Sequence, residues 1–341
     1  MITVHMTTFR RLQSGLLRRA VDSVLAQTCR DFEFIICDDA SSDGTADYLQ
    51  SVAARDDRVT VIRNAKNVNS VAVSLGRCFK AADAARPYVT WMFDDCTMEP
   101  NAFEVLCARI EKTKADFVFG ITRVHNGDGS TLLVGNESVS KIRDRIAVSS
   151  ILVPNGAILF RREVFEKVGW YDSNIILRRS CDWDLFKRAI QAGCAFERID
   201  TILMDEYGGQ QSDSLRNSFT TTFEIMAKFA RLRDAAGFDV SVDACLTTPI
   251  DLIPPGDWST EELTLIQAMF VEYYLSVGNV ARAYTWADKL KAKLPDAPFF
   301  FENLAAGVAS RDPTQSPMAA GALAAGIYWS FRETQLRRIS R

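Results

Sequence analysis

The chain has 341 residues, with 40 Lys and Arg against 43 Asp and Glu and a formal net charge of −3. Apolar residues make up 48% and charged residues 24%, which excludes a disordered chain, a collagen-like repeat and a small disulfide scaffold. At ~150 residues per domain the length predicts two domains, and the near-neutral balance offers no field to recruit nucleic acid by charge.

Taken in order, Ile2–Met6 is a short apolar strand ended by Thr7-Thr8. Residues 16–27 carry Leu16, Leu17, Ala20, Val21, Val24 and Leu25 at amphipathic helical spacing. Phe32–Cys37 is nearly all apolar, as a strand buried on both faces would be. It ends in Asp38-Asp39-Ala40-Ser41-Ser42-Asp43-Gly44, a turn able to cap a helix over 45–55. A strand at 59–63, a helix at 71–84 and a strand at 88–93 follow, the last closed by Asp94-Asp95. A helix at 101–112 and a strand at 117–121 complete a β-α-β-α rhythm, the pattern of a mostly parallel sheet covered by helices. Ligands bind such sheets beyond the carboxyl ends of the strands, where both acidic pairs fall.

Beyond residue 130 the alternation loosens. A strand is expected at 157–160, helices at 162–168 and 182–191, and a last strand at 196–204, followed by a polar stretch over 207–218. From about 219 the chain turns helical. Ser259-Thr260-Glu261-Glu262 is a capping box before the apolar run 263–275, and 274–295 reads as helix end, Gly278-Asn279 turn, second helix and proline stop. That predicts two domains, 1–235 and an α-helical 240–341 with one tetratricopeptide-like hairpin. The longest nearly unbroken apolar stretch, 318–331, is shorter than the ~20 residues of a spanning helix. The eight cysteines are scattered without a C-x-x-C pair, which fits a reducing, cytoplasmic setting and argues against structural zinc. With only His5 and His125 in the chain, chemistry falls to carboxylates.

Three acidic clusters invite chemistry, and each also has a plainer reading. Asp38-Asp39 can accept the N3–H of a pyrimidine or a ribose hydroxyl, or simply form an Asx turn, with Asp43 as the helix cap. Asp94-Asp95 suits a hard divalent cation bridging substrate phosphates, or is a solvated acidic turn. Asp182, in Cys181-Asp182-Trp183-Asp184, can serve as a general base, or only complement a helix N-terminus.

Their order and surrounding text decide between these readings. Ser23-Val24-Leu25-Ala26-Gln27-Thr28, then Asp31-Phe32-Glu33, then the 38–45 turn closely resemble family 2 glycosyltransferases of the GT-A fold. Thr7-Thr8-Phe9-Arg10-Arg11 looks like that family's first nucleotide-contacting loop, and Asp94-Asp95 with Pro100 looks like its D-x-D-type motif. Asn155-Gly156-Ala157 and the run from Phe160 to Asp172 resemble its middle segment, and Asp182-Trp183-Asp184-Leu185 stands where its base motif lies.

The resemblance, over residues 1–215, implies an inverting, metal-dependent transferase using a UDP- or dTDP-sugar and Mn²⁺ or Mg²⁺. It implies Asp39 on the nucleotide base with Thr8 and Arg10 lining the pocket, Asp94 facing ribose or diphosphate, Asp95 on the metal, and Asp182 as the base. A glycan, lipid-linked or protein hydroxyl would be the acceptor. Three departures stand out. The D-x-D region is a bare pair, the family's usual Glu before the base is Cys181, and its arginine before the fourth strand falls on Leu75, with Arg77 nearby. The stretch 207–212, with Gly208-Gly209, sits where the family has a mobile segment over the donor, without its usual histidine.

Two rival classes are weighed. A catalytically inactive GT-A domain serving as a scaffold through its helical C-terminus would be signalled by loss of Asp95 or Asp182, and both are present. A sugar-1-phosphate nucleotidyltransferase would need a glycine-rich opening loop, which is absent. The arginines after 331, beside Trp329 and Phe331, allow peripheral contact with an anionic membrane face, while the plainer reading is a packed last helix. Homodimerisation through the C-terminal helices is an equal expectation.

Overall fold

The computed structural model describes residues 1–178, 180–208, 223–246 and 251–291. Expectations at 209–218, the Phe299-Phe300-Phe301 run, the 318–331 stretch and the terminal arginines lie outside these residues.

The chain begins with strand β1 (Ile2–Thr8), helix α1 (Leu16–Leu25), β2 (Phe32–Asp38), α2 (Thr45–Ala53), β3 (Val59–Arg63), α3 (Val71–Ala81) and β4 (Tyr88–Phe93). Their parallel pairing β3-β2-β1-β4 follows from near-continuous apolar strands buried under helices on both faces. Helix α1 buries Leu16, Leu17, Ala20, Val21 and Val24 and turns its arginines outward, as its spacing predicts.

The second half of the sheet is mixed. Strand β5 (Cys96–Met98), α4 (Ala102–Thr113), β6 (Phe117–His125), β7 (Thr131–Val134), α5 (Val139–Arg145), β8 (Ile158–Arg161), α6 (Val164–Val168), α7 (Cys181–Gln191) and β9 (Phe196–Glu206) follow. The sheet continues β4-β8-β6-β9-β5, with β7 on β6. Only β6 and β9 pair in parallel here; β8 runs antiparallel to both its neighbours, and β5 and β7 are antiparallel too.

Three elements escaped the sequence reading. β5 is three residues long, β7 is largely exposed, and α5 buries only Ile142, so none carries an apolar period. β6 and β9 also run past their predicted ends, because β7 and β5 satisfy their backbones where apolar residues give out.

Register places the functional edge. Thr8 of β1 sits opposite Asp38 of β2, and Thr7 opposite Phe93 of β4, so the loops after these three strands start at one level. Beneath them the core is aromatic: Trp91 stacks on Phe160, and Trp170 meets Phe79 and Phe165 at ring separations of 4.9 Å. His5, fully buried in β1 near Phe79 and Trp170, has no hydrogen-bond partner at either ring nitrogen. Burial, and then the charge of Arg162, push its pKa down to about 3, so it is held neutral.

Two compact units result, the first from residues 1–173, 180–211 and 239–249, the second from 174–179, 212–238 and 250–341. Helix α8 (Phe223–Ala236) therefore falls in the second unit, and the short α9 (Val242–Cys245) in the first. In the second unit, Ser259 and Glu262 form the predicted reciprocal box at the start of α10 (Thr260–Ser276): the Ser259 N–H donates to Glu262 Oε2 at 2.8 Å, and the Glu262 N–H to Ser259 Oγ at 3.1 Å. Gly278, at φ 72°, turns the chain into α11 (Val280–Lys291), and Phe270 packs on Trp286 at 4.7 Å. Asp251 accepts from Arg282 and from the Trp286 indole, at 2.6 Å for the latter. No helix among the described residues is long and apolar enough to cross a membrane.

Candidate active site

The loops after β1 and β2 hold each other in place. Arg10 and Ala40, neither a glycine, both take left-handed backbone at φ 54° and 60°. Such a residue costs roughly 1–2 kcal/mol, and here the Arg10 N–H donates to Ser41 Oγ at 2.9 Å. Asp38, fully buried, belongs to this turn: its Oδ1 accepts the Ser41 N–H at 3.1 Å, and Arg63 stands 3.3 Å from Oδ2. Asp43 braces the next helix as expected, accepting from the Thr45 N–H and hydroxyl, and from Leu12 N–H across the loop.

Asp39 points the other way. Its Oδ1 accepts from Asn64 Nδ2 at 2.7 Å and from the Val68 N–H at 2.8 Å, and its Oδ2 from the Asn69 N–H at 2.9 Å. Burial raises its pKa, against the pull of those donors and of Arg77. A carboxylate offers about four acceptor positions, so one on Oδ2 is left for a base N–H. Asn64 is the hub: it also bonds Ser74 and is gripped by Arg77. Arg77 thus braces this pocket.

Thr8 links the two sides, its hydroxyl donating to Asp94 Oδ2 at 2.6 Å. Arg10, by contrast, brings its backbone to the loop while its side chain is exposed over Phe9. The residue beside it, singled out by no reading of the sequence, reaches the acidic pair: Arg11 Nε lies 3.4 Å from Asp94 Oδ1, and Nη2 3.7 Å from Asp95 Oδ2.

Asp94 is almost wholly buried, and burial lifts its pKa to about 7, Arg11 and Thr8 opposing and Asp95 adding to the rise. The neighbouring strand end supplies another carboxylate. Glu206 pairs with Cys96 in the sheet, and burial followed by the charges of Asp95 and Asp182 raises it to about 7. Asp182 lies in the first turn of α7, and burial of the Tyr171 phenol, followed by the charge of Asp182, raises the Tyr171 pKa. Tyr171 and Trp91 both donate to Asn155 Oδ1 at 2.9 Å, which gives the Asn155-Gly156 signature a structural job.

The end of β9 is fastened to the same place. The Tyr207 N–H donates to the Asp95 carbonyl at 2.9 Å, and its ring lies under Arg19 at 4.3 Å and stacked on His125 at 4.6 Å. His125 and Arg123 both bind Asp205, each at 2.6 Å. Gly208 has no room for a side chain, since a Cβ there would stand 2.2 Å from Asp95 Oδ2.

Sequence reasoning named Arg11 only as the last residue of the Thr7–Arg11 loop and missed Asn64 and Glu206. Glu206 had a visible signal, an Asp205-Glu206 pair closing a strand as the other two clusters do, but the strand was ended at Met204. Among the described residues no three His, Cys, Asp or Glu side chains are grouped to hold a metal. Asp94 and Asp95 supply hard oxygen donors for part of a shell, which fits a Mg²⁺- or Mn²⁺-type ion that also takes phosphate oxygens.

Comparison with known proteins agrees with this architecture. Putative glycosyltransferase EpsE of Bacillus subtilis is 28% identical over 52% of this chain and 63% of its own length. The chain spans less than two thirds of the length of the curated relatives it matches. Among solved structures, S. aureus TarS 1-349 in complex with UDP-GlcNAc superposes with a TM-score of 0.53 at 13% identity, over 96% of this chain and 92% of that one. Mannosyltransferase PcManGT from Pyrobaculum calidifontis, in complex with GDP-Man and Mn²⁺, gives 0.50 at 16% identity, over 96% and 86%. Residues 3–169 match the model of glycosyl transferase family 2, and the N-terminal domain of this chain belongs to that family.

Proposed function

We propose that this domain transfers a sugar from a UDP- or dTDP-sugar to a hydroxyl of a glycan, lipid-linked or protein acceptor, with inversion at the anomeric carbon. The observation that carries this reading is the gathering of carboxylates from three elements at one sheet edge. Asp94-Asp95 comes from the end of β4, and Asp182, at the start of α7, and Asp95 both act electrostatically on Glu206 at the end of β9. The donors seen with TarS and PcManGT are nucleotide sugars, which supports the substrate class.

Asp39 accepts from the base through its remaining acceptor position, and the loop carrying Thr8 and Arg10 closes over the nucleoside. Asp94 and Asp95 would hold Mn²⁺ or Mg²⁺ at the diphosphate, and the ion would supply charge to offset what grows on the leaving group. Asp182 takes the proton of the acceptor hydroxyl as its oxygen attacks C1. The C1–O bond to phosphate breaks in line, and the nucleoside diphosphate departs with the bonding pair. Glu206, raised by burial and then by the charges of Asp95 and Asp182, adds a carboxylate that feels the base in a chain where Cys181 supplies none.

Thermal unfolding with UDP, dTDP, GDP and CDP, each with and without Mn²⁺, tests the donor reading, because a ligand of the native state raises Tm by mass action. A Mn²⁺-dependent rise with UDP or dTDP is expected. No rise with any nucleotide would leave a scaffold role for the domain.

A further inference from the structure

Arg11 occupies a built position. The backbone on either side of it is pinned, Arg10 N–H to Ser41 Oγ at 2.9 Å and Leu12 N–H to Asp43 Oδ2 at 3.3 Å. With Arg10 left-handed at φ 54°, the chain reverses sharply and lays the Arg11 guanidinium over the end of β4. The side chain is only 20% exposed and stands against both members of the acidic pair. Its contacts of 3.4 and 3.7 Å are longer than the 2.7–2.9 Å of a charge-assisted hydrogen bond. Its pairing with Asp94 and Asp95 is therefore mainly coulombic, and it offsets part of the charge of two crowded carboxylates.

We propose that Arg11 is an internal counter-cation that competes with the divalent ion for Asp94 and Asp95 and is handed over to the nucleotide's diphosphate when the donor enters. The inference rests on the metal- and nucleotide-binding reading given above and adds an order to it. With Arg11 on the carboxylates, the ion binds weakly by itself. The diphosphate draws the guanidinium away and completes the oxygen shell, so each ligand strengthens the other. Such coupling is reciprocal and typically amounts to 5–150-fold. It also supplies a diphosphate-binding cation in a chain where the expected helix position is Leu75 and Arg77 is engaged with Asn64.

The test is calorimetric titration of Mn²⁺ into the full chain, alone and with saturating UDP, for wild type, Arg11→Gln, Arg11→Met, Arg11→Lys and the charge control Lys112→Gln. In the wild type, UDP should tighten Mn²⁺ binding by about tenfold or more. Arg11→Gln should bind Mn²⁺ alone about tenfold more tightly than wild type and lose most of the gain from UDP. Arg11→Met, which keeps the apolar stem, should behave the same way, and serves if the glutamine variant does not fold. Arg11→Lys and Lys112→Gln should both keep the wild-type pattern. Wild-type coupling by UDP with no tighter binding of Mn²⁺ alone in either neutral variant would overturn the role of Arg11 and leave the metal reading intact. Absence of Mn²⁺ binding in every protein, with UDP, dTDP, GDP or CDP present, would overturn the metal reading and this inference with it.

Discussion

Two Asp-Asp turns end neighbouring regions of one sheet, and their surroundings are opposite. At Asp38-Asp39 the carboxylates are met by four backbone or amide N–H groups and by Arg63, 3.3 Å from Asp38 Oδ2, and one acceptor position of Asp39 is left over. At Asp94-Asp95 the neighbours are an arginine at 3.4–3.7 Å, a threonine hydroxyl and a third carboxylate, Glu206, across the β5–β9 pairing. The same dipeptide is thus held mostly by N–H donors of its own loops in one place and set among other charged side chains in the other. The difference comes from the element that closes over each: a loop rich in backbone N–H groups over the first, a strand ending in Asp205-Glu206 over the second.

That contrast predicts where substitutions cost chemistry and where they cost stability. The largest effect should come from the second of these places. Asp182→Asn is expected to lower kcat by about 10²–10⁴-fold, the usual worth of a general base, with nucleotide binding retained in the same preparation. Full activity in the variant would remove Asp182 from the base role.

Asp39→Ala should cost stability as well as nucleotide binding. It removes one acceptor from the Asn64 amide and from the Val68 and Asn69 N–H groups, and a loss of about 1–3 kcal/mol is expected in urea unfolding. Asp94→Asn, in contrast, relieves buried like charges, and urea unfolding at pH 8 should give it a midpoint no lower than wild type. Equal destabilisation by the two substitutions would erase the distinction between the turns.

His5 sharpens the comparison by locating acid sensitivity outside both turns. Its pKa falls from 6.5 unfolded to about 3 folded, so below pH 6.5 the unfolded chain binds the extra proton. Stability is then full above 6.5 and declines as pH falls toward 3, by about 1.4 kcal/mol per pH unit. His5→Phe, filling the same aromatic pocket, should flatten that limb between pH 6 and 4 in unfolding titrations; an unchanged slope would place the acid sensitivity elsewhere.

The smallest effect concerns the strained loop. Ala40→Gly relieves a left-handed alanine at φ 60° while loosening the unfolded chain, for a net gain of at most about 1 kcal/mol. A loss of stability would mean that the Ala40 side chain contributes packing that outweighs its strain.

Apolar periodicity made the parallel half of the sheet readable, since β1, β2 and β4 bury both faces, β3 ends the sheet as a partly exposed strand, and amphipathic helices separate them. It failed from β5 onward, where short or exposed strands are held by pairing with β6 and β9, which no local pattern records. The same division runs through the site. Asp39 and Asp94 were legible because strand ends announce them. Arg11 was not, because its placement depends on the N–H groups of its two neighbours donating to side chains about thirty positions away. Arg10 was expected to line the nucleotide pocket, yet the left-handed turn presents its backbone instead and leaves the next side chain to reach the carboxylates.

The hydrogen bond from Thr8 to Asp94 joins residues 86 positions apart, and this has a bearing on how the molecule is made. It forms only once β4 has docked in parallel beside β1, after β2, β3 and their helices have been accommodated, and such non-local pairing is slow. Among the described residues, the hydrogen bonds that Asp39 and Asn64 accept or donate with each other, Val68, Asn69, Ser74 and Arg77 lie within one stretch of the chain, whereas the Asp95–Tyr207 bond needs more than a hundred further residues. On a ribosome delivering the chain from its N-terminus, the base-side pocket has all its parts long before the end of the site that would perform the transfer.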